Sequence, residues 1–399
     1  MSFRRDVCVV GGCGHVGLPL AITLARAGLS VAVHDINDAA VELVRAGKMP
    51  FREPGAEAAL REVVGNGLEV ANDARLVTEA RYVVVVVGTP VDEHLNPTFH
   101  TMKRFFNKLS PHLTAGQCVV LRSTVYPGTT EKIAELLQHA GKDVEVAFCP
   151  ERVAEGHAME ELTALPQIVS GCSERAVALA EELFGRIARS IVRLSPLEAE
   201  LTKIFANAWR YIQFATANQF FMIALDHGLD FYRIHDALTR DYPRMAGLPR
   251  AGFAAGPCLF KDTMQLAAAN KNNFWLGHAA MLVNEGLPNY IVNQLKERYP
   301  LKTLCVGVLG MAFKGESDDP RESLSYKLRK ILEYEAKSVM CTDEYIVEEQ
   351  FLPLGEVLAA ADLLIIAAPH KAYRGLAVPE GKPIVDVWNL LGRGTLGLV

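Results

Sequence analysis

The sequence predicts an α/β protein: an N-terminal doubly wound parallel sheet, a central helical domain built on a long spine helix, and a second, smaller α/β domain at the C-terminus. Three observations carry this. Apolar strand-like runs alternate with helical segments over roughly the first 190 residues. Residues 197–227 then hold neither glycine nor proline, which gives a helix about 45 Å long at 1.5 Å per residue. Strand-and-turn grammar returns near residue 303. At 399 residues the chain exceeds one core, and the expected division is 1–195, 196–298 and 299–399.

The elements follow in order. Residues 6–12, Asp-Val-Cys-Val-Val-Gly-Gly, read as a buried strand ending in glycines, and residues 17–28 continue with helical periodicity up to Gly28. Ser30 to Asp35 supplies a second strand and completes a βαβ unit. Tyr82 to Val87 is continuously apolar, as a parallel strand covered on both faces should be, and Val119 to Ser123 is comparable. The spine helix is rich in Ile204, Phe205, Trp209, Ile212, Phe220 and Phe221, more apolar surface than one neighbouring domain need cover, so it is expected to contribute to a homodimer interface. Further on, Leu304 to Gly310 echoes Val7 to Gly12, and Leu363 to Ala368 and Ile384 to Trp388 read as strands of a Rossmann-like domain without the full glycine fingerprint.

Composition narrows the classes of function. With 41 Lys and Arg against 46 Asp and Glu, the net charge is −5, and no basic excess points to nucleic acid. The eight cysteines (8, 13, 118, 149, 172, 258, 305 and 341) form no Cys-x-x-Cys pair or His/Cys cluster, which argues against a zinc site or a disulfide framework, and no metal is expected. No apolar run approaches the ~18 residues of a membrane span, and the N-terminus runs straight into a strand. A cytoplasmic protein without membrane partners is expected.

Gly12-Cys13-Gly14-His15-Val16-Gly17 fits G-x-G-x-x-G after a strand and at the start of a helix. Gly12, Gly14, Val16 and Gly17 would bring backbone N–H groups close to a pyrophosphate at the helix N-terminus. Asp35 ends the second strand, where its carboxylate accepts from ribose hydroxyls and repels a 2′-phosphate. NAD is therefore expected over NADP. Far downstream, Gly256-Pro-Cys-Leu-Phe-Lys-Asp-Thr263 sets a cysteine beside an amine and an acid, a setting suited to a nucleophilic thiol, with Lys261 as one source of favourable charge.

Four more stretches stand out: Val87-Gly-Thr-Pro90, Ser123-Thr-Val-Tyr-Pro-Gly-Thr-Thr130, Cys149-Pro-Glu-Arg-Val-Ala-Glu-Gly156, and Lys203-x-x-x-Asn207 on the spine helix. Together with Gly256 to Thr263 and Gly310-Met-Ala-Phe-Lys-Gly-Glu-Ser-Asp-Asp-Pro-Arg321, they resemble the UDP-glucose/GDP-mannose dehydrogenase family over essentially the whole chain. The resemblance implies NAD-dependent four-electron oxidation at C6 of a UDP-sugar to the acid. It implies Cys258 as the nucleophile that forms a thiohemiacetal and then a thioester, and Glu151 as the base for thioester hydrolysis. Lys203 and Asn207 would donate to the oxygen at C6, with Asp262 and Thr124 holding the water and the acid–base network. Thr89, Thr124 and Glu155 match positions on the NAD side. Arg152, Lys314 and Arg321 match positions on the substrate side, and Arg244 matches an arginine that enters the neighbouring subunit's sugar site.

The chain also departs from the family pattern. Ala40 stands where a lysine or arginine is common. The loop Gly252-Phe-Ala-Ala-Gly-Pro-Cys258 is one residue longer than usual and carries two alanines, which tolerate positive φ poorly. Pro150-Glu151-Arg152-Val153 is spelled as in enzymes for acetamido sugars, whereas Lys261-Asp262-Thr263 is closer to the glucose type. Two other functions remain open: a two-electron dehydrogenase of the hydroxyacid or 6-phosphogluconate type, and a nucleotide-sugar-binding regulator without turnover. The first needs no nucleophilic cysteine and the second no thiol.

Overall fold

The computed structural model describes residues 3–88, 99–254, 256–379 and 381–392. The chain forms two compact units, Met1–Ala206 and Asn207–Val399. Among the described residues no helix is long and apolar enough to cross a membrane.

In the first unit the strands are β1 (Arg5–Val10), β2 (Val31–His34), β3 (Leu68–Ala71), β4 (Ala80–Val85), β5 (Cys118–Leu121), β6 (Glu145–Phe148), β7 (Gln167–Gly171) and β8 (Ile191–Arg193). Their order in the sheet is β3-β2-β1-β4-β5-β6-β7-β8. The order reverses between β1 and β4, which pair in parallel with Val7 opposite Tyr82 and Val10 opposite Val85. Such a switch point leaves a crevice beyond the carboxyl ends of the strands, where ligands bind. The valines of β1 and β4 are buried on both faces, which accounts for their unbroken apolar run.

One pair differs from the parallel sheet expected. β7 lies antiparallel to β6, with Ala147 opposite Gly171 and Phe148 opposite Ser170. The segment between them, including the Ala158–Ala164 helix, does not return to the far end of the sheet. The chain therefore re-enters from the end where β6 finished. As a result, the Cys149 to Gly156 stretch lies at the same carboxyl end as the glycine turn.

The spine helix runs Pro196–Asp226, as the composition predicts, and the boundary between the units falls within it. Ile204, Ala208, Tyr211 and Phe221 are buried, whereas Phe205, Trp209, Phe220 and Ile223 are exposed in the single chain.

The second unit contains a four-stranded parallel sheet, β9 (Cys305–Leu309), β10 (Ser338–Thr342), β11 (Leu363–Ile366) and β12 (Ile384–Asp386), in the order β10-β9-β11-β12. Helices Leu259–Ala269, Trp275–Arg298 and Leu324–Glu335 belong to it. Leu287, Ile291 and Leu295 of the second of these share a core with Val306 and Val308 of β9 and Leu328 of the third.

Candidate active site

The first unit forms a dinucleotide turn. Gly12 and Gly17 are required by packing: a Cβ on Gly12 would lie 2.9 Å from Val33 Cγ1 and from the Val9 carbonyl, and one on Gly17 would lie 2.6 Å from Gly12 Cα. Gly14 instead faces open space, as a position approached by a ligand should. Val16 is the N-cap of the Gly17–Arg26 helix and provides no side-chain cap, so the N–H groups of that terminus can turn toward an anion. Asp35 accepts from the Cys13 N–H at 2.9 Å and the Asn37 N–H at 2.9 Å. The acid thus holds the turn and keeps lone pairs for a ribose. These residues fit NAD. Thr89 lies outside the described residues.

At the end of β5, Ser123 donates to the Val87 carbonyl at 2.6 Å, joining the segment that carries Thr124 to the end of β4. Glu151 follows β6 and is buried. One of its oxygens accepts from the Arg152 and Val153 N–H groups at 2.7 and 2.9 Å, and the other is paired with Arg122. Arg122 was not singled out in the sequence, yet it is only 1% exposed. Its Nη1 donates to the Cys149 carbonyl and to Gln167 Oε1, each at 3.1 Å, and its guanidinium lies 4.8 Å above the Phe184 ring. The available signal was an arginine directly after the apolar strand Cys118–Leu121, where a buried cation demands a carboxylate partner. Arg152, read as a substrate contact, donates to the Pro166 carbonyl.

Glu155 lies in the same loop, 3.9 Å from His15, whose ring stacks on Phe51 with centroids 4.0 Å apart. A second residue missed in the sequence, Glu53, is buried and accepts from the Gly156 and Ala158 N–H groups at 2.8 and 2.9 Å. It pins the far side of the Glu155 loop. Buried Glu200, at the start of the spine helix, accepts from the Gly128 N–H at 2.5 Å and from the Thr130 N–H and Oγ1 at 2.8 and 2.6 Å. It thereby closes the N-terminus of the Thr129–His139 helix. Burial pushes the Glu200 carboxyl above its ordinary value, and the bonds from Thr130 and Gly128 offset part of this.

The second unit presents the thiol. Cys258 is exposed and forms the N-cap of the Leu259–Ala269 helix, where the helix dipole favours negative charge on sulfur. Asp262, one turn along, is fully buried and accepts from Asn207 Nδ2 at 2.6 Å. Its other oxygen lies 3.3 Å from Lys261 Nζ, so the charge of Lys261 is shared with Asp262. Asn207 keeps a second amide hydrogen, and Lys203 sits one helical turn before it on the spine helix.

In the loop ahead of Cys258, Ala255 lies outside the described residues, and Gly256 takes a positive φ of +114°. A Cβ there would sit 2.6 Å from the Phe313 ring, and one on Gly252 would sit 2.3 Å from the Trp388 ring. The Gly252 N–H is held by Asn218 Oδ1 at 2.8 Å. Asn218 Nδ2 in turn donates to Asn284 Oδ1 at 2.9 Å, and Asn284 Nδ2 donates to the Tyr211 carbonyl at 3.0 Å.

Lys314 and Arg321 lie on the Gly310–Arg321 loop that follows β9. Lys314 Nζ sits 5.5 Å from the Phe313 ring centroid. Arg321 forks onto buried Asp319, with Nε 2.9 Å from both carboxylate oxygens, and its side chain is more than half exposed. Arg244 is exposed on the Pro243–Met245 turn, its Nη1 3.4 Å from Tyr242 Oη.

The glycine turn, its acid and the switch point define a NAD-binding domain of the doubly wound class. Comparison with known proteins makes this specific. The NAD binding domain of the UDP-glucose/GDP-mannose dehydrogenase family matches residues 5–188, its central domain residues 197–285, and its UDP binding domain residues 307–393. The UDP-N-acetyl-D-mannosamine dehydrogenase of Pyrococcus horikoshii is 31% identical over 97% of this chain and 96% of its own length. The NDP-N-acetyl-D-galactosaminuronic acid dehydrogenase of Ralstonia nicotianae is 29% identical over 93% and 92%. Among solved structures, the Pyrococcus horikoshii UDP-D-ManNAc dehydrogenase superposes with a TM-score of 0.91 at 28% identity, covering 99% of this chain and 98% of that one. A UDP-glucose dehydrogenase from Pyrobaculum islandicum gives 0.88 at 28% identity, covering 98% and 95%. The chain belongs to the UDP-glucose/GDP-mannose dehydrogenase family.

Proposed function

We propose that this protein oxidises C6 of a UDP-N-acetylhexosamine from alcohol to carboxylate, using two NAD per sugar. The observation that carries the four-electron reading is the exposed Cys258 at a helix N-terminus beside the buried Asn207–Asp262 pair. A dehydrogenase that stops at the carbonyl has no use for it. The acetamido sugar is supported by the names of the Pyrococcus and Ralstonia relatives and by the spelling Pro150-Glu151-Arg152-Val153. When bound, NAD supplies the hydride acceptor. Gly12, Gly14, Val16, Gly17 and Asp35 hold it, with Thr124, Glu155 and, from the sequence resemblance, Thr89 nearby.

The chain's own residues do the remaining work. Lys203 and Asn207 donate to the C6 oxygen as it gains negative charge. The Cys258 sulfur adds to the C6 aldehyde and forms a C–S bond, and loss of hydride from the resulting thiohemiacetal leaves a thioester. Glu151 takes a proton from the water that attacks the thioester carbonyl. The C–S bond breaks, the thiolate leaves, and the acid is released. Asp262 and Thr124 orient the water. Arg152, Lys314 and Arg321 hold the nucleotide sugar, with Lys314 and Arg321 supplying cationic charge to its diphosphate.

A homodimer built partly on the exposed Phe205, Trp209 and Phe220 face would let Arg244 reach the partner's sugar site. Mixing Cys258→Ala and Arg244→Ala subunits should then restore part of the activity. The decisive assay offers UDP-glucose, UDP-N-acetylglucosamine, UDP-N-acetylmannosamine and UDP-N-acetylgalactosamine with NAD and counts NADH per sugar consumed. A ratio near two on an acetamido sugar supports the proposal. A ratio near one replaces it with two-electron chemistry, and no NADH from any of the four returns the protein to a binding role.

A further inference from the structure

The second unit repeats the strand–turn–strand plan of the first, including an acid after its second strand. Asp343 follows β10 as Asp35 follows β2. Asp35 accepts two N–H groups and keeps lone pairs for a ligand. Asp343 is spent on the protein itself. Its Oδ2 accepts from the Met311 and Ala312 N–H groups at 2.5 and 3.1 Å, and its Oδ1 accepts from those of Tyr345 and Ile346 at 2.8 and 2.9 Å. His370 Nε2 stands 3.2 Å from Oδ2, and both side chains are fully buried. A ribose cannot displace this set without stranding several buried donors.

His370 completes a latch. Its Nδ1 receives the Glu316 N–H at 3.0 Å. A backbone amide can only donate, so Nδ1 is the unprotonated nitrogen and Nε2–H donates to Asp343. Glu316 itself holds a left-handed backbone, φ +61°, which a non-glycine residue adopts only when its surroundings impose it. Its carboxylate accepts from the Lys371 N–H at 2.7 Å and from the Tyr345 hydroxyl at 3.2 Å. The imidazole is packed edge-on between the Tyr345 and Tyr373 rings, with centroids 5.1 and 5.5 Å away. At Gly315 a Cβ would meet the Pro369 carbonyl at 2.5 Å, so the loop lies directly on the segment that carries His370.

We propose that His370, through Asp343 and Glu316, is a positioning residue that fixes the Gly310–Arg321 loop and so presets Lys314 for the diphosphate of a nucleotide sugar. The acid that serves a ribose in the first unit has become a strut in the second. The inference rests on the reading of Lys314 and Arg321 given above.

The test uses the full-length protein, with UDP titrated calorimetrically and the best UDP-sugar assayed at steady state. His370→Leu removes both bonds. His370→Gln can keep both, its carbonyl accepting from Glu316 and its amide donating to Asp343. In His370→Leu, the KM for the nucleotide sugar and the Kd for UDP should rise about ten-fold or more, the size expected for the loss of one or two well-buried hydrogen bonds. The kcat at saturation should stay within about two-fold and the KM for NAD should not move, because the loop preorganises binding rather than chemistry. His370→Gln should recover most of the loss. Tyr345→Phe, which removes only the hydroxyl donated to Glu316, should shift UDP binding in the same direction by less, and it carries the test should His370→Leu not fold. A folded variant that binds UDP as the parent does, or loses kcat with KM unchanged, overturns the inference. If the unmodified protein does not bind UDP, the reading of Lys314 and Arg321 fails instead.

Discussion

Replacing Glu151 by Gln probes thioester hydrolysis kinetically, but the structure gives it a second effect that must be separated first. Arg122 is 1% exposed, and Glu151 is its ion-pair partner among the described residues. The contacts of Arg122 with Cys149, Gln167 and Phe184 compensate its charge only in part. Removing the carboxylate leaves a buried guanidinium without counter-charge, and breaking a buried pair from one side costs about 3–5 kcal/mol. Glutamine still offers an acceptor oxygen, so Glu151→Gln should fall near the low end, ~3 kcal/mol. Arg122→Met should cost ~2–3 kcal/mol, because the abandoned carboxylate keeps the Arg152 and Val153 N–H bonds. Neither charge remains in the double variant. Its cost should fall short of the sum by about 2 kcal/mol or more, well beyond the ~0.5 kcal/mol scatter of independent sites. Urea unfolding, with amide exchange of residues 118–121 and 145–148 reporting on the first unit's sheet, measures all three. Additive costs would refute the argument and make Arg122 a packing residue whose charge is satisfied elsewhere. If the coupling is found, a covalent sugar adduct on Glu151→Gln should be sought by intact-protein mass spectrometry below the temperature at which that variant loosens.

Cys258→Ser should abolish net oxidation to the acid while sparing UDP-sugar binding, a loss of several powers of ten at 1.36 kcal/mol each; turnover near the parent rate would make the thiol structural. Iodoacetamide at neutral pH should label Cys258 well ahead of Cys172, whose thiol is pushed up to about 11 by burial and by Glu131, Glu200 and Glu145, and ahead of buried Cys149, pushed up to about 12 by burial; peptide mapping that finds Cys172 modified first would contradict the site. Asp35→Ser should narrow the preference for NAD over NADP, measured as the ratio of kcat/KM values, and a parent that used both equally would refute the role of Asp35. Burial raises the Asp343 carboxyl, but His370 and the Tyr345 and Ile346 N–H groups outweigh it and hold the group below its ordinary value. Its contribution to stability is therefore full above the unfolded value of about 3.9 and is lost as pH falls through the folded one. Stability should fall more steeply below about pH 4 in the parent than in Asp343→Asn, and equal slopes in urea melts would sink that claim.

Much of this was legible in the sequence because parallel strands buried on two faces leave an unbroken apolar run. Val83 to Val85 and Leu363 to Ile366 announce themselves in this way. The spine helix was equally plain, since nothing in residues 197–227 interrupts it. The direction of β7 was not legible: Gln-Ile-Val-Ser-Gly is the same text for a parallel or an antiparallel neighbour, and the deciding fact is where the preceding segment stays. A lone charge carries no mark of burial in the sequence, which hid Arg122 and Glu53, whose partners lie 29 and 103 residues away. The strut at Asp343 was half visible. The echo between Leu304–Gly310 and Val7–Gly12 was noted, but that the second acid would be spent internally depends on His370, a residue with no motif around it.

The buried asparagines at 218 and 284 have a further consequence. A carboxamide has one end that gives and one that takes, so the run from the Gly252 amide through Asn218 and Asn284 to the Tyr211 carbonyl has a single sense. Sliding the Pro196–Asp226 helix by one turn against the Trp275–Arg298 helix would break every link together and leave the two buried carboxamides and the Gly252 N–H without these partners. Leucines on the same faces would tolerate that slip at little cost. The pair therefore favours one alignment of the two helices, and with it the position of the Gly252 amide that Asn218 holds.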